Sequence, residues 1–283
     1  DLEERNAFAV TLLDKTHLTA KRRTSTGTVA PAGTGGDLLE WIDLPALGSQ
    51  DAATLLTAAR SSLRCMDGVN LTFNLFSSSK SSEEEKLAHA SMARALEPKE
   101  SIDYFLSHSW HDDATSKFAQ LERLQVRYQA AHGGRRPTFW LDKVCIDQGN
   151  ISDGLKVLVI NVMACKKLLM VCGKTYHHRL WCVLELFMLF AFGDEEAAFG
   201  RIEFLPIEQE GMTTEAICDA LSKFKLSEAH CYDPNEEAKL REIMRAVGED
   251  RFEARIQELG KKLRAKMIDD CGVSTFEPCV QAD

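Results

Sequence analysis

Nowhere in the 283 residues does an apolar run reach the roughly 20 residues that a membrane span requires. The longest, Leu180 to Phe192, falls short and carries Glu185. No secretory leader is expected either, because Ala7 to Leu13 is too short and lacks a proper n-region. Basic charge is not in excess. Lysine and arginine number 34 against 43 aspartates and glutamates, a net charge of -9, so no nucleic-acid partner is expected. Lys21, Arg22 and Arg23 form a short cluster that reads as solvated charge. The metal-binding spacings C-x-x-C and H-E-x-x-H are absent. His108, His111, His177 and His178, with Cys172 and Cys182, therefore read as loop or hydrogen-bonded side chains, and no metal is expected. Phosphate fingerprints fail too. Gly173-Lys174-Thr175 has Leu168 where a P-loop needs glycine, and no strand precedes the glycines at 33, 35 and 36. The nine cysteines are odd in number and several lie in apolar runs. That pattern reads as free thiols in a reducing, cytoplasmic setting. The chain opens on Asp1, so a partial or processed N-terminus is expected.

What is present is ordinary globular composition, with 45% hydrophobic and 27% charged residues, enough for a buried core. Residues 1–36 read as a flexible segment and linker, with a short helix around Phe8 to Leu13; residues 37–100 read as an N-terminal α/β or helical extension. Within that extension a helix is expected over Gln50–Cys65, a strand over Val69–Phe76 from its alternation, and a helix over Lys86–Leu96. From residue 101 to 232 strands and helices alternate. Strands are predicted at Ile102–Ser107, Thr138–Leu141, Leu168–Cys172 and Arg201–Leu205, with a short last strand at Glu228–Tyr232. Helices are predicted at Ala114–Ala131, Ile151–Cys165, Tyr176–Phe192 and Thr213–Lys223. This alternation implies α/β architecture: a parallel sheet, Ile102–Ser107 central, with crossover helices on both faces. Residues 233–283 read as an appended helical hairpin, Asn235–Val247 and Asp250–Ile268.

Two stretches carry chemistry. Ser107-His108-Ser109-Trp110-His111-Asp112-Asp113 lies at the carboxyl end of the first core strand, the edge where open α/β sheets bind ligands. Its acids equally suit a helix N-terminus. In Arg179-Leu180-Trp181-Cys182-Val183-Leu184-Glu185-Leu186-Phe187, Glu185 is a lone carboxylate in an apolar helix, with Trp181 one turn earlier on the same face. Burying that charge alone is costly, so Glu185 either faces a cleft or pairs with Arg179 or Lys174.

Together these segments resemble the TIR family. Asp103-Tyr104-Phe105-Leu106-Ser107 is similar to its D-x-F-x-S opening strand, Trp140-Leu141-Asp142 with Ile146 and Gly149 to its second strand and following loop, and Trp181-Cys182-x-x-Glu185-Leu186 to W-C-x-x-E-L of its third helix. The longer strings Ser107-His108-Ser109-Trp110-His111-Asp112-Asp113 and Trp140-Leu141-Asp142-Lys143-x-Cys145-Ile146-Asp147-Gln148 look most like TIR-like proteins of unicellular eukaryotes, and the resemblance spans about Ile102 to about Ile207. It implies a flavodoxin-like domain that signals by self-association with other TIR domains. In the enzymatic branch it implies cleavage of the nicotinamide–ribose bond of NAD+ as substrate, without a cofactor. Carried over residue by residue, Glu185 is the catalytic carboxylate, Trp181 its neighbour, and Ser107, His108, Ser109 and Trp110 line the nucleotide. Asp142 opens a loop, running to Gly149, that gates the site or meets a neighbouring subunit. Two departures stand out: His108-Ser109-Trp110 lacks the arginine of plant relatives, and Cys145-Ile146-Asp147-Gln148 lacks the usual proline. Two functions of different class remain open, an NAD+ glycohydrolase (with or without cyclase activity) and a non-catalytic scaffold or adaptor.

Overall fold

A computed structural model of the chain describes residues 63–77, 82–97, 99–146, 158–191, 195–247 and 249–272. The strands are β1 (Arg64–Asp67), β2 (Ala93–Ala95), β3 (Ile102–His108), β4 (Thr138–Trp140), β5 (Cys165–Cys172) and β6 (Ile202–Pro206). The helices are α1 (Asn74–Ser77), α2 (Glu83–Met92), α3 (Ala114–Ala131), α4 (Asp142–Cys145), α5 (Leu158–Ala164), α6 (Leu180–Ala191), α7 (Glu195–Gly200), α8 (Thr214–Ser222), α9 (Pro234–Val247) and α10 (Asp250–Gly272).

The strands form one sheet in the order β2-β1-β4-β3-β5-β6. The expected parallel set is there: β4, β3, β5 and β6 run parallel, with β3 between β4 and β5. Every residue of β3 is buried, as befits a strand covered on both faces. On one face α3 lays Leu121, Leu124 and Tyr128 against Tyr104, Leu106 and Val171. On the other, α5 and α6 cover Phe105, Leu168 and Met170. The architecture is thus a mixed α/β fold with a central sheet flanked by helices.

One charge sits inside this sheet. Asp103 is 3% exposed, yet it accepts from the Thr138 backbone N–H at 2.9 Å and pairs with Arg135 at 2.7 Å and Lys166 at 2.9 Å. Burial pushes its pKa up, but Arg135, the Thr138 N–H and Lys166 outweigh that and hold the carboxyl well below its usual range. It ties the start of β3 to β4 and to β5.

Helix α3 has the predicted bounds. Asp113 caps it, accepting from Ser116 N, and Gly133 and Gly134 end it with φ of 61° and 86°. The C-terminal helices α9 and α10 do not stand off as an appendage: Leu240, Met244, Phe252, Ile256 and Leu259 belong to the same core cluster as α6. Close approach of α10 to α8 requires Gly260, where a Cβ would lie 2.4 Å from Ser222 N.

Several expectations need correction. Val69–Phe76 is not a strand but a 3-10 turn (Gly68–Asn70) followed by α1. Its alternation misled because Val69 and Phe73 are 63% and 40% exposed, while Leu75 and Phe76 are buried side by side. The extra strand lies earlier, at β1, where Arg64 and Cys65 had been read as the end of a helix. It runs antiparallel to β4 and to β2, which takes the residues read as the last turn of the Lys86–Leu96 helix. That helix instead starts earlier, at a Ser82–Glu85 capping box. Cys165 opens β5 rather than ending a helix, and only Leu158–Ala164 of the Ile151–Cys165 segment is described as helical. The Tyr176–Phe192 helix breaks at Arg179 into a 3-10 turn (Tyr176–His178) and α6. Glu228–Tyr232 forms no strand; His230 makes a single bridge to Arg179 after a 3-10 turn at Leu226–Glu228. The readings of residues 1–62, including the linker and the Phe8–Leu13 helix, and of Asp147–Gly149 lie outside the described residues.

Cysteines 65, 145, 165, 172, 182, 218 and 231 are free thiols. No helix among the described residues is long and apolar enough to cross a membrane.

Candidate functional site

Helix α6 is buried almost all round. Trp181 and Glu185, one turn apart, are the half-buried exceptions in its first three turns. This narrow stripe opens on a cleft of about 240 Å³ at the carboxyl ends of β3 and β4. Three tryptophans line it, Trp110 from the loop after β3, Trp140 from the end of β4, and Trp181. Three acids line it as well: Asp142, Glu185 and, from α9, Glu236.

Glu185 does not pair with Arg179 or Lys174; no ion pair joins them among the described residues. Its Oε2 instead accepts from the Ser107 hydroxyl, and Ser107 Oγ lies 2.6 Å from the Tyr176 phenol oxygen. Ser107 and Tyr176 are fully buried. Burial among apolar side chains pushes the Glu185 pKa up, to about 8; the Ser107 bond lowers it and Asp142 raises it. Because part of the carboxyl borders the cleft, a ligand bringing positive charge reaches it directly. Burial also raises the pKa of Asp142, against the Lys143 backbone N–H, the Lys143 and Lys117 charges and a Trp110 hydrogen bond.

The loop after β3 is held from three sides. Ser109 Oγ lies 2.7 Å from Thr175 Oγ1. Asp112 accepts from Gly173 N at 3.1 Å and Thr175 N at 2.8 Å, so it locks the loop to the β5 turn while Asp113 does the capping. Gly173 is there because a Cβ would meet the Asp112 carboxyl carbon at 2.5 Å, a packing reason for the glycine that has no connection with phosphate. From beneath, the buried Lys117 donates to Ser109 O at 2.6 Å and to His108 Nδ1, 3.2 Å away. Burial lowers the Lys117 pKa to about 8, against the pull of Asp112. Burial, then the Lys117 charge, keep His108 neutral by lowering its pKa well below the usual value. Trp110 sits over two ammonium groups, Lys143 at 5.0 Å and Lys117 at 5.9 Å from its ring centre.

The structure therefore gathers the residues singled out from the sequence. His108, Ser109, Trp110, Asp142, Trp181 and Glu185 all border the cleft, and Ser107 lies behind Glu185 as its hydrogen-bond donor. Sequence reasoning missed Tyr176, Lys117, Arg179 as a wall residue, and Glu236. Tyr176 is nine positions before Glu185, a spacing with no helical meaning, and Glu236 follows Trp181 by 55 residues. Neither leaves a local signal.

Compared with known proteins, the chain matches no protein-family model, no curated protein and no solved structure.

Proposed function

We propose that this chain is a TIR-like protein whose α/β domain hydrolyses the nicotinamide–ribose bond of NAD+, with Glu185 as the catalytic carboxylate. The observation that carries the reading is Glu185 itself: a carboxyl kept in an apolar helix, open to a tryptophan-lined cleft, at the strand edge where ligands of α/β sheets bind. The parallel strands support it further. In chain order they lie second, first, third, fourth, the opening order of a flavodoxin-like sheet.

In this reading the pyridinium ring enters among Trp110, Trp140 and Trp181, and its charge draws Glu185 into the carboxylate form, releasing a proton to solvent. The ribose C1′–N bond breaks, nicotinamide leaves with the electron pair, and the carboxylate stabilises the oxocarbenium-like sugar. Water then adds at C1′ and gives up a proton. Ser107 holds Glu185 in place throughout. The deciding experiment incubates purified full chain with NAD+ and measures free nicotinamide. Release that Glu185→Ala abolishes supports the reading. A folded, assembled chain that releases none leaves a non-catalytic TIR-like scaffold, with the same surface serving self-association.

A further inference from the structure

One wall of the cleft comes from outside the parallel sheet and its crossovers. Glu236, in the first turn of α9, accepts from the Trp181 indole N–H at 3.4 Å and borders the cleft with it. Its placement is built in. His230 N donates to His178 O at 2.9 Å and Leu180 N to His230 O at 3.1 Å, fastening the segment before α9 to the start of α6. Glu237 accepts from Cys231 N at 3.0 Å and pairs with Arg241 at 2.9 Å, and Arg241 donates to Ala229 O at 2.6 Å. Leu240 and Met244 are buried in the core beneath. The acid is thus held at the cleft by a rigid frame rather than by its own side-chain freedom.

Charge and ring chemistry at this wall agree. Of the acids lining the cleft, burial shifts Glu185 and Asp142 toward the neutral form, whereas Glu236 stands at the Trp181 wall, away from the Lys117 and Lys143 ammonium groups that Trp110 sits over; Arg179 is the one base in the lining, and His108 is neutral. Indole faces attract cations, and an indole whose N–H donates to a carboxylate is richer in electron density. We propose that Glu236 is a specificity-determining residue which, with the Trp181 ring, makes the cleft prefer a planar heteroaromatic cation to the same ring uncharged. The proposal rests on the reading of the cleft as a pyridinium-nucleotide site and adds what sets its charge preference. It also gives product release a physical cause: cleavage turns a cationic ring into neutral nicotinamide, which the wall no longer holds.

The test uses the full chain and two probes, the uncleavable N-methylnicotinamidium cation and neutral nicotinamide, with binding read on the Trp181 indole N–H resonance. The cation should bind about tenfold more tightly or better, and Glu236→Gln should cut that ratio by about three- to tenfold, the scale of one cation–π or screened charge contact. Nicotinamide affinity should stay unchanged, which also certifies the fold of the variant, and Glu236→Lys should abolish the preference. A parent ratio near one, no binding of the cation, or equal losses for both probes would overturn the proposal. Nicotinamide release from NAD+ is measured on the same samples. Cation preference without turnover removes the hydrolase reading and leaves this one; turnover without cation preference does the reverse.

Discussion

The Ser107 hydroxyl, fully buried at the penultimate position of β3, donates to the carboxylate of Glu185 on α6. Behind it the Tyr176 phenol lies 2.6 Å from the same oxygen, so the chain Tyr176–Ser107–Glu185 runs from the core to the cleft. Among the described residues this is the hydrogen bond that favours ionisation of Glu185 against its burial. Ser107→Ala should therefore raise the Glu185 pKa further. The rising limb of a kcat/KM pH profile should move up by about 1–2 pH units, the equivalent of losing one charged hydrogen bond. Tyr176→Phe should shift it the same way but less, because the serine donor remains. An unmoved profile in Ser107→Ala would show that the bond does not tune the carboxyl.

Activity and stability should respond to pH in opposite directions. The folded state raises the Glu185 pKa from 4.5 to about 8, so it favours the neutral acid. The corresponding stability is fully present below the unfolded value and is lost as pH rises through the folded one. Glu185→Gln removes that loss. Its stability should match the parent in mild acid and exceed it by about 1–3 kcal/mol at alkaline pH, as read from urea unfolding. In the proposed hydrolase turnover requires the carboxylate and should instead increase over the same interval. A parent whose margin over Glu185→Gln grows with pH would contradict the placement of this carboxyl.

Catalysis itself should depend on charge, not shape. Glu185→Ala should lower NAD+ turnover by about 10²–10⁴-fold, the range for losing one electrostatic or acid–base group. Glu185→Gln should be nearly as damaging. Trp181→Ala should raise KM more than it lowers kcat, since in the proposed reading the ring binds and does not react. Full activity in Glu185→Ala would mean that the resemblance had been carried to the wrong residue.

How much of this was legible depends on whether a signal is local. The buried strands β3 and β5 read as apolar runs, and α3 is written into the chain with its cap and its glycine stop. Trp181 and Glu185 were legible because helical spacing puts them on one face of a helix that is otherwise apolar. The antiparallel strands β1 and β2 were not, because four and three residues are too short to show a period, and what holds them is pairing with β4 and with each other. The same applies to the site. Ser107 was legible as a residue of the ligand-binding strand edge near Glu185, but only the fold reveals that its hydroxyl donates to that carboxyl. Lys117 reads as a surface lysine of an amphipathic helix, yet it is fully buried, with Ser109 O as a hydrogen-bond partner. Glu236 reads as a first-turn acid complementing the helix dipole, and nothing near it in sequence says that α9 reaches the cleft.

Asp103 supplies the last prediction, on stability alone. Arg135 and Lys166 are each 48% exposed, so they can return to water if Asp103 is removed. The buried Thr138 N–H cannot, since Asp103 Oδ2 is its acceptor at 2.9 Å. Asp103→Ala should therefore cost about 2–4 kcal/mol, most of it from that stranded donor and the lost charge-assisted bonds. Asp103→Asn keeps an acceptor and should cost less. The depressed pKa also fixes the acid response: the stability Asp103 contributes is present above its ordinary value of 3.8 and is lost as pH falls toward the folded value. Parent and Asp103→Asn should thus differ at neutral pH and converge in strong acid. If chemical denaturation gives the same gap at both ends of that range, the ionised carboxylate is not what ties β3 to β4 and β5.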